Sequence, residues 1–252
     1  VSTDSPSTGI SQISAMLVAW GASWLAGHVG LDQVVDRVEA AVGPQLVHDP
    51  AGDGDVPLRA FLAALRAEGL TAFRLALPAP GDPLGLTGPP PFNVAALDAG
   101  QAVVAVRAGG CAGLVPEEDQ RGSSYRGVRW TLYEAAEREP YIPDLAEAER
   151  ELTRAMLAAT DALTSVDGPA QGFPTLPEPD QTLAPGYPGR AVRVGALAAR
   201  LALALRLAEE RGLTVAQVST RSEALRDLDR AVRRARVAAH HALSDSSDLT
   251  RP

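Results

Sequence analysis

Apolar positions near the start of the chain recur at three- and four-residue intervals. Ile10, Ile13, Leu17, Trp20 and Trp24, continued by His28, fall on one face of a helix. A second short helix follows from Leu31 to about Val42. Pro57 opens a third, with Leu58, Phe61, Leu62 and Leu65 inside and Gly69 at its end. The period then changes to two. Phe73, Leu75 and Leu77 alternate with Ala72, Arg74 and Ala76, which predicts a half-buried strand. Gln101 to Arg107 is a continuous apolar run suited to a central strand. Cys111 to Val115, reached through Gly109-Gly110, predicts a third strand. From Tyr125 to Glu134, Val128, Trp130 and Leu132 face one side and Tyr125, Arg129 and Tyr133 the other. Short links between the last three strands predict an antiparallel meander.

Beyond Pro140 the pattern is helical. Pro143 and Asp144 open a helix with the stripe Leu145, Ala148, Leu152, Met156, Ala159, Leu163 and Val166. Residues 167–189 hold six prolines and four glycines without a period, a connection expected to be disordered or a lid. Phe173, Leu176, Leu183 and Tyr187 within it suggest partial docking. A nearly all-apolar helix runs from about Arg190 to Arg211, and Thr214 with Gln217 forms a capping box for the last one. The seam of that last helix is Val218, Leu225, Leu228, Val232, Ala235 and Ala239.

Composition sharpens this picture. The 252 residues carry 31 acidic and 23 basic side chains, a formal charge of −8, and every basic residue is arginine. Without lysine there is no Schiff-base nucleophile, no pyridoxal anchor and no phosphate loop of the Gly-Lys-Ser/Thr type. Segment 134–167 has a charge balance of −6 and segment 190–240 one of +6, which favours packing of neighbouring helices. The lone Cys111 cannot form an internal disulfide, so a cytoplasmic location is expected. No arginine precedes Arg37, as a secretory signal would require, and the apolar centre Ala15 to Leu25 is too short to span a bilayer.

Metal and hydrolase signals are poor. No pair among His28, His48, His240 and His241 has the i, i+4 zinc spacing. His48, Asp49, Asp53 and Asp55 lie in a turn-rich acidic stretch that lacks the closing glutamate of a calcium loop. His240 and His241 are expected to be exposed near a frayed helix end. Neither Ser23 nor Ser124 sits in a nucleophile elbow. Cys111 reads as an inert, partly buried thiol. No cofactor and no metal is expected.

The stretch that stands out runs from Pro78 to Asn93, where prolines fix extended backbone and glycines permit close approach. In it Asp82 and Thr87 present polar groups, and Phe92 is placed to close an apolar pocket. Asn93, the sole asparagine, is placed to cap a short helix from Val94 to Ala99. Trp130 is the expected wall of a cleft under this loop.

This loop, together with Gly113-Leu114-Val115-Pro116 and Ala224-Leu225-Arg226-Asp227-Leu228-Asp229-Arg230-Ala231, resembles alanine- and arginine-rich conserved hypothetical proteins of high-GC actinobacteria. GC-rich codons account for 45 alanines and no lysine. Valine at position 1 fits a GTG start read literally, hence a complete chain. The resemblance brings no activity, substrate or partner with it.

The fold expected is therefore α+β. A mainly antiparallel β-meander sheet with N-terminal helices (residues 10–136) precedes a C-terminal helical bundle (141–244), with a disordered tail at 1–9 and a flexible one at 245–252. The leading functional reading is a non-enzymatic protein that works by contact with another protein and has no membrane attachment. Enzymatic activity is left open, with the balance against it. One alternative is a small-molecule-binding protein or enzyme using the 78–93 loop. The other is nucleic-acid binding through Arg226, Arg230, Arg233, Arg234 and Arg236, which the neighbouring acids oppose.

Overall fold

A computed structural model describes residues 10–52, 54–121, 125–164, 183–210 and 219–248. The tail expected at 1–9, most of the 167–189 connection, and Thr214 with Gln217 lie outside the described residues. The chain divides into two compact units. The first runs to Tyr141 and also takes in Ala184–Tyr187 and the chain from Leu243 on; the second holds Ile142–Leu183 and Pro188–Ala242.

The first unit is built on a six-stranded sheet in the order β2-β1-β6-β5-β4-β3. Its strands are β1 (Gln45–His48), β2 (Asp55–Pro57), β3 (Leu70–Ala76), β4 (Ala102–Arg107), β5 (Gly110–Arg121) and β6 (Tyr125–Ala135). The meander β3-β4-β5-β6 is antiparallel, as its short connections predict. The sheet is nevertheless mixed, because β1 runs parallel to β6, with Leu46 opposite Arg129 and His48 opposite Thr131. The hairpin β1–β2 is an element that the sequence pattern does not predict. Strand β5 also runs past Val115 to Arg121, a polar extension paired with the start of β6.

Three helices, α1 (Ile13–Leu25), α2 (Leu31–Val42) and α3 (Leu58–Ala67), precede the meander strands or separate them from the hairpin. Helix α1 packs over β3 and β4, and α2 bridges α1 and β6. A Cβ at Gly21 of α1 would run into the Phe73 ring, so that glycine sets how closely α1 approaches the sheet. Gln101 ties the start of α1 down: its Oε1 accepts from the Ser14 N–H (3.1 Å) and its Nε2 donates to the Ile10 carbonyl (2.6 Å). On this face Trp130 is fully buried, and its indole N–H donates to Gln45 Oε1 at 2.9 Å. The indole thus brings a large apolar surface inside without stranding its polar atom.

The other face is covered over part of its breadth by α4 (Pro90–Ala99). Phe92 and Ala96 of α4 join Ala76, Ala102, Val104, Cys111, Val115 and Ala135 in a second apolar cluster. Gly113 of β5 leaves the space that the Phe92 ring fills.

The short segment Ala184–Tyr187 docks on the end of α1. Ser23 Oγ donates to the Pro185 carbonyl at 2.7 Å, and Gly186, at φ +93°, lies against the His28 ring. Tyr187 is buried, which pushes its phenol pKa upward.

The second unit is helical: α5 (Leu145–Thr164), α6 (Gly189–Glu210) and the part of α7 (Ser219–Asp248) up to Ala242. The predicted seams meet. Ala148, Leu152 and Ala159 pack with Val194, Ala198, Leu228, Ala231, Val232 and Ala235. Asp144 caps α5 by accepting the Glu147 N–H at 2.8 Å. Charge matching between helices is present among the described residues in Arg190–Glu149 at 2.6 Å and, more loosely, Arg234–Glu151 at 3.9 Å. Helix α7 continues to Asp248, so residues 245–248, expected in a tail, are helical. His240 is buried instead of exposed: the helix continues past it, and its Nδ1 donates to the Arg236 carbonyl at 2.6 Å. None of the helices among the described residues is long and apolar enough to cross a membrane.

Candidate binding face

The 78–93 segment is a folded turn tied to the sheet. Ala79 and Asp82 exchange backbone hydrogen bonds (2.9 and 2.8 Å), and the Leu77 N–H donates to the Leu84 carbonyl at 3.1 Å. Gly85, at φ +88°, lies against the backbone of Leu75 and Ala76, where a Cβ would not fit. Thr87 Oγ1 reaches the Ala136 carbonyl at 3.4 Å, and the Ala136 N–H donates to the Gly88 carbonyl at 3.0 Å.

The helix after it begins earlier than the sequence pattern predicts. It starts at Pro90, with Pro89 at the cap position, so Asn93 lies inside the first turn. Prolines suit that turn because its N–H groups have no intrahelical acceptor. Asn93 still serves the helix start, since its Oδ1 accepts the Gly88 N–H at 3.0 Å. Thr87, Phe92 and Asn93 are thus brought together at one end of α4. Trp130 is not among them: it points to the face of the sheet opposite Phe92, as the alternation along β6 requires.

Helix α4 is amphipathic in an unusual sense, because its outer side is also apolar. Phe92 is 1% exposed, whereas Val94 is 59% and Leu97 40% exposed. Spaced three apart, those two side chains share a face. Phe92 meets the Tyr133 ring at a centroid distance of 6.1 Å, which anchors the helix to β6.

Beside α4, the same sheet face carries a charged network that the sequence pattern misses. His48 and Asp55 are register partners across β1 and β2. The His48 Nδ1 donates to Asp55 Oδ1 at 3.0 Å, while Asp55 Oδ2 takes Arg129 Nη2 at 2.9 Å and Arg121 Nη2 at 3.2 Å. Arg121 also bonds Asp119 (Nε to Oδ1, 3.0 Å) and stacks over Tyr125 at 5.5 Å. Partial burial works to raise the Asp55 pKa, but the His48 hydrogen bond and the two guanidiniums hold it below the usual carboxylate range. The face of Tyr125, Arg129 and Tyr133 is therefore spent on internal partners: an arginine stack, a carboxylate and a core ring. Only three residues of β2 and four of β1 build the hairpin, too few for periodicity to register. Pro44 and Pro57 bracketing an alternating quartet were the available signal.

The arginines of α7 are divided in use. Arg233 bonds Asp229 (3.0 Å) and Arg230 lies near Asp227 (3.6 Å). Arg236 is only 7% exposed, and burial lowers its pKa to about 10.

Two family models match the chain: Rv1486c-like protein, N-terminal domain, over residues 14–148, and Rv1486c-like protein, C-terminal domain, over residues 146–237. The chain is similar to the uncharacterized proteins Rv1486c and MT1533 of two Mycobacterium tuberculosis strains (H37Rv and CDC 1551). Each is 33% identical over 154 residues, an alignment covering 52% of this chain and 50% of the relative. The chain thus spans about half the length of the curated relatives it matches. No solved structure matches. With both family models laid end to end along most of its length, and its kin in an actinobacterium as the sequence resemblance implies, the chain belongs to the Rv1486c-like family.

Proposed function

We propose that the protein is a non-enzymatic binding module that contacts another protein chain through the outer side of α4 and the proline-rich turn leading into it. The observation that carries this reading is the exposure of Val94 (59%) and Leu97 (40%) on one face of a helix whose other face is locked into the core. Apolar side chains held on a rigid element bind with little loss of conformational freedom. The hydrogen bonds of Ala79, Asp82, Thr87 and Asn93 keep the neighbouring turn in one shape, which supports recognition by fit.

The test is site-specific photo-crosslinking in the native host, with a photoreactive residue at Val94 or Leu97 and, as control, at the exposed Thr153 of α5. The reading expects one discrete adduct from positions 94 and 97, absent from 153 and lost when Leu97→Arg is combined with the label at 94. No adduct above the control would sink it.

A further inference from the structure

We propose that the helical unit carries a second binding site, a groove between α5 and α7 that takes a small hydroxylated organic phosphate of the sugar-phosphate class. The groove is open to solvent on one side, holds about 370 Å³ and is lined by Glu147, Arg150, Glu151, Arg154 and Arg234. Beneath it Ala148 and Leu152 pack against Leu228, Val232 and Ala235, so the two helices that present the charges are fixed relative to each other.

The arginines of the groove are only loosely engaged. Arg234 lies 3.9 Å from Glu151 Oε2, beyond hydrogen-bond length, and its Nε is buried without an acceptor although the side chain is 30% exposed. Arg150 and Arg154 enter no ion pair among the described residues, whereas nearby Glu149 is held by Arg190 at 2.6 Å. A guanidinium stays charged near neutral pH, and a buried Nε without an acceptor, as in Arg234, is costly. Arg150 and Arg154 are exposed, and with Arg234 they bring three guanidinium forks to one groove from two helices, more N–H donors than a carboxylate has oxygens. A phosphate presents three oxygens and up to two negative charges, which matches them.

Glu147 and Glu151 decide the rest of the ligand. Lining the same groove, two carboxylates repel a bare anion but accept hydrogen bonds from hydroxyl groups. The volume leaves room beyond a phosphate, within the range of small-molecule sites. An anionic head with hydroxyls on its body satisfies both signs of charge. Inorganic phosphate has only its own P–OH to set against the carboxylates.

The experiment is calorimetric titration of the full chain with ribose 5-phosphate and, separately, with inorganic phosphate. Saturable binding of ribose 5-phosphate is expected, at least about tenfold tighter than phosphate, because the latter has only the P–OH of the anion itself and no sugar hydroxyls to offer the carboxylates. Arg150→Gln and Arg154→Gln, both exposed helix positions, should each weaken both ligands by roughly fivefold or more while the helical melt is unchanged. Glu151→Gln should bring the ratio of the two affinities down towards one, since it removes repulsion of phosphate and an acceptor for hydroxyls together. Three results overturn the proposal: no saturable binding of either ligand, equal affinities in the unsubstituted protein, or binding that the arginine substitutions leave unchanged.

Discussion

His48 and Asp55 face each other across the β1–β2 hairpin, with Nδ1 donating to Oδ1 at 3.0 Å. That single contact makes Asp55 the hub of the charged half of the sheet, because its other oxygen is occupied by Arg129 and Arg121. The hub joins β1 and β2 to β5 and β6 by side chains, as the ladder joins them by backbone.

The first prediction concerns this hub. The Asp55 pKa is depressed in the fold, so its contribution to stability is present above the unfolded value near 3.8 and is lost as pH falls through the lower folded value. Asp55→Asn should lower the denaturant midpoint at pH 6. The gap to the parent protein should close as pH drops below 3.8. A gap that persists unchanged at acid pH would place the effect elsewhere.

Gly113 is the second. A Cβ there runs into the Phe92 ring, which is itself buried in the core. Gly113→Ala should destabilise the first unit by about 1–3 kcal/mol through overpacking. Reversible chemical denaturation measures it. The variant should also increase exchange of the α4 amides, because Phe92 is what holds α4 to the sheet.

Gln45→Leu tests the indole hydrogen bond of the opposite face. It removes the acceptor of the Trp130 indole while keeping apolar volume, in surroundings where both residues are 1% exposed or less. A stranded buried N–H should cost about 1–3 kcal/mol. The indole N–H resonance provides a direct check, by loss of its hydrogen-bonded shift.

His240 gives a pH dependence to the helical unit. Burial, with Arg236 and His241 adding to it against the opposing backbone hydrogen bond, holds its pKa at about 3 instead of 6.5. The ring is neutral in the fold, and the unfolded chain takes up a proton below pH 6.5. Stability is therefore complete above that value and declines as pH falls towards 3, by up to about 1.4 kcal/mol per pH unit. His240→Gln should flatten the slope between pH 6 and 4, read from denaturant midpoints. An equal slope in parent and variant would assign it to other groups.

Local periodicity determined much of this protein. The stripes of α5 and α7, the four meander strands, and the sides taken by Trp130 and Tyr133 follow from spacing, because each strand or helix must show one face to apolar neighbours. Helix-end chemistry was partly legible as well. Asp144 caps α5 as its sequence context suggests, while Asn93 acts from inside the first turn because Pro90 and Pro91 already suit helical φ.

Only the tertiary structure decided the rest. A four-residue β1 becomes a strand because β6 lies alongside it in parallel, a pairing some 80 residues distant that no local pattern encodes. His48, read from its neighbours as part of an acidic turn, becomes a cross-strand partner of Asp55 for that reason. His240 is not at a frayed end because α7 continues beyond it to Asp248. That Arg150, Arg154 and Arg234 line one groove follows only from the packing of α5 against α7. Sequence alone fixes which face of an element each residue occupies. What meets that face depends on the packing of distant segments.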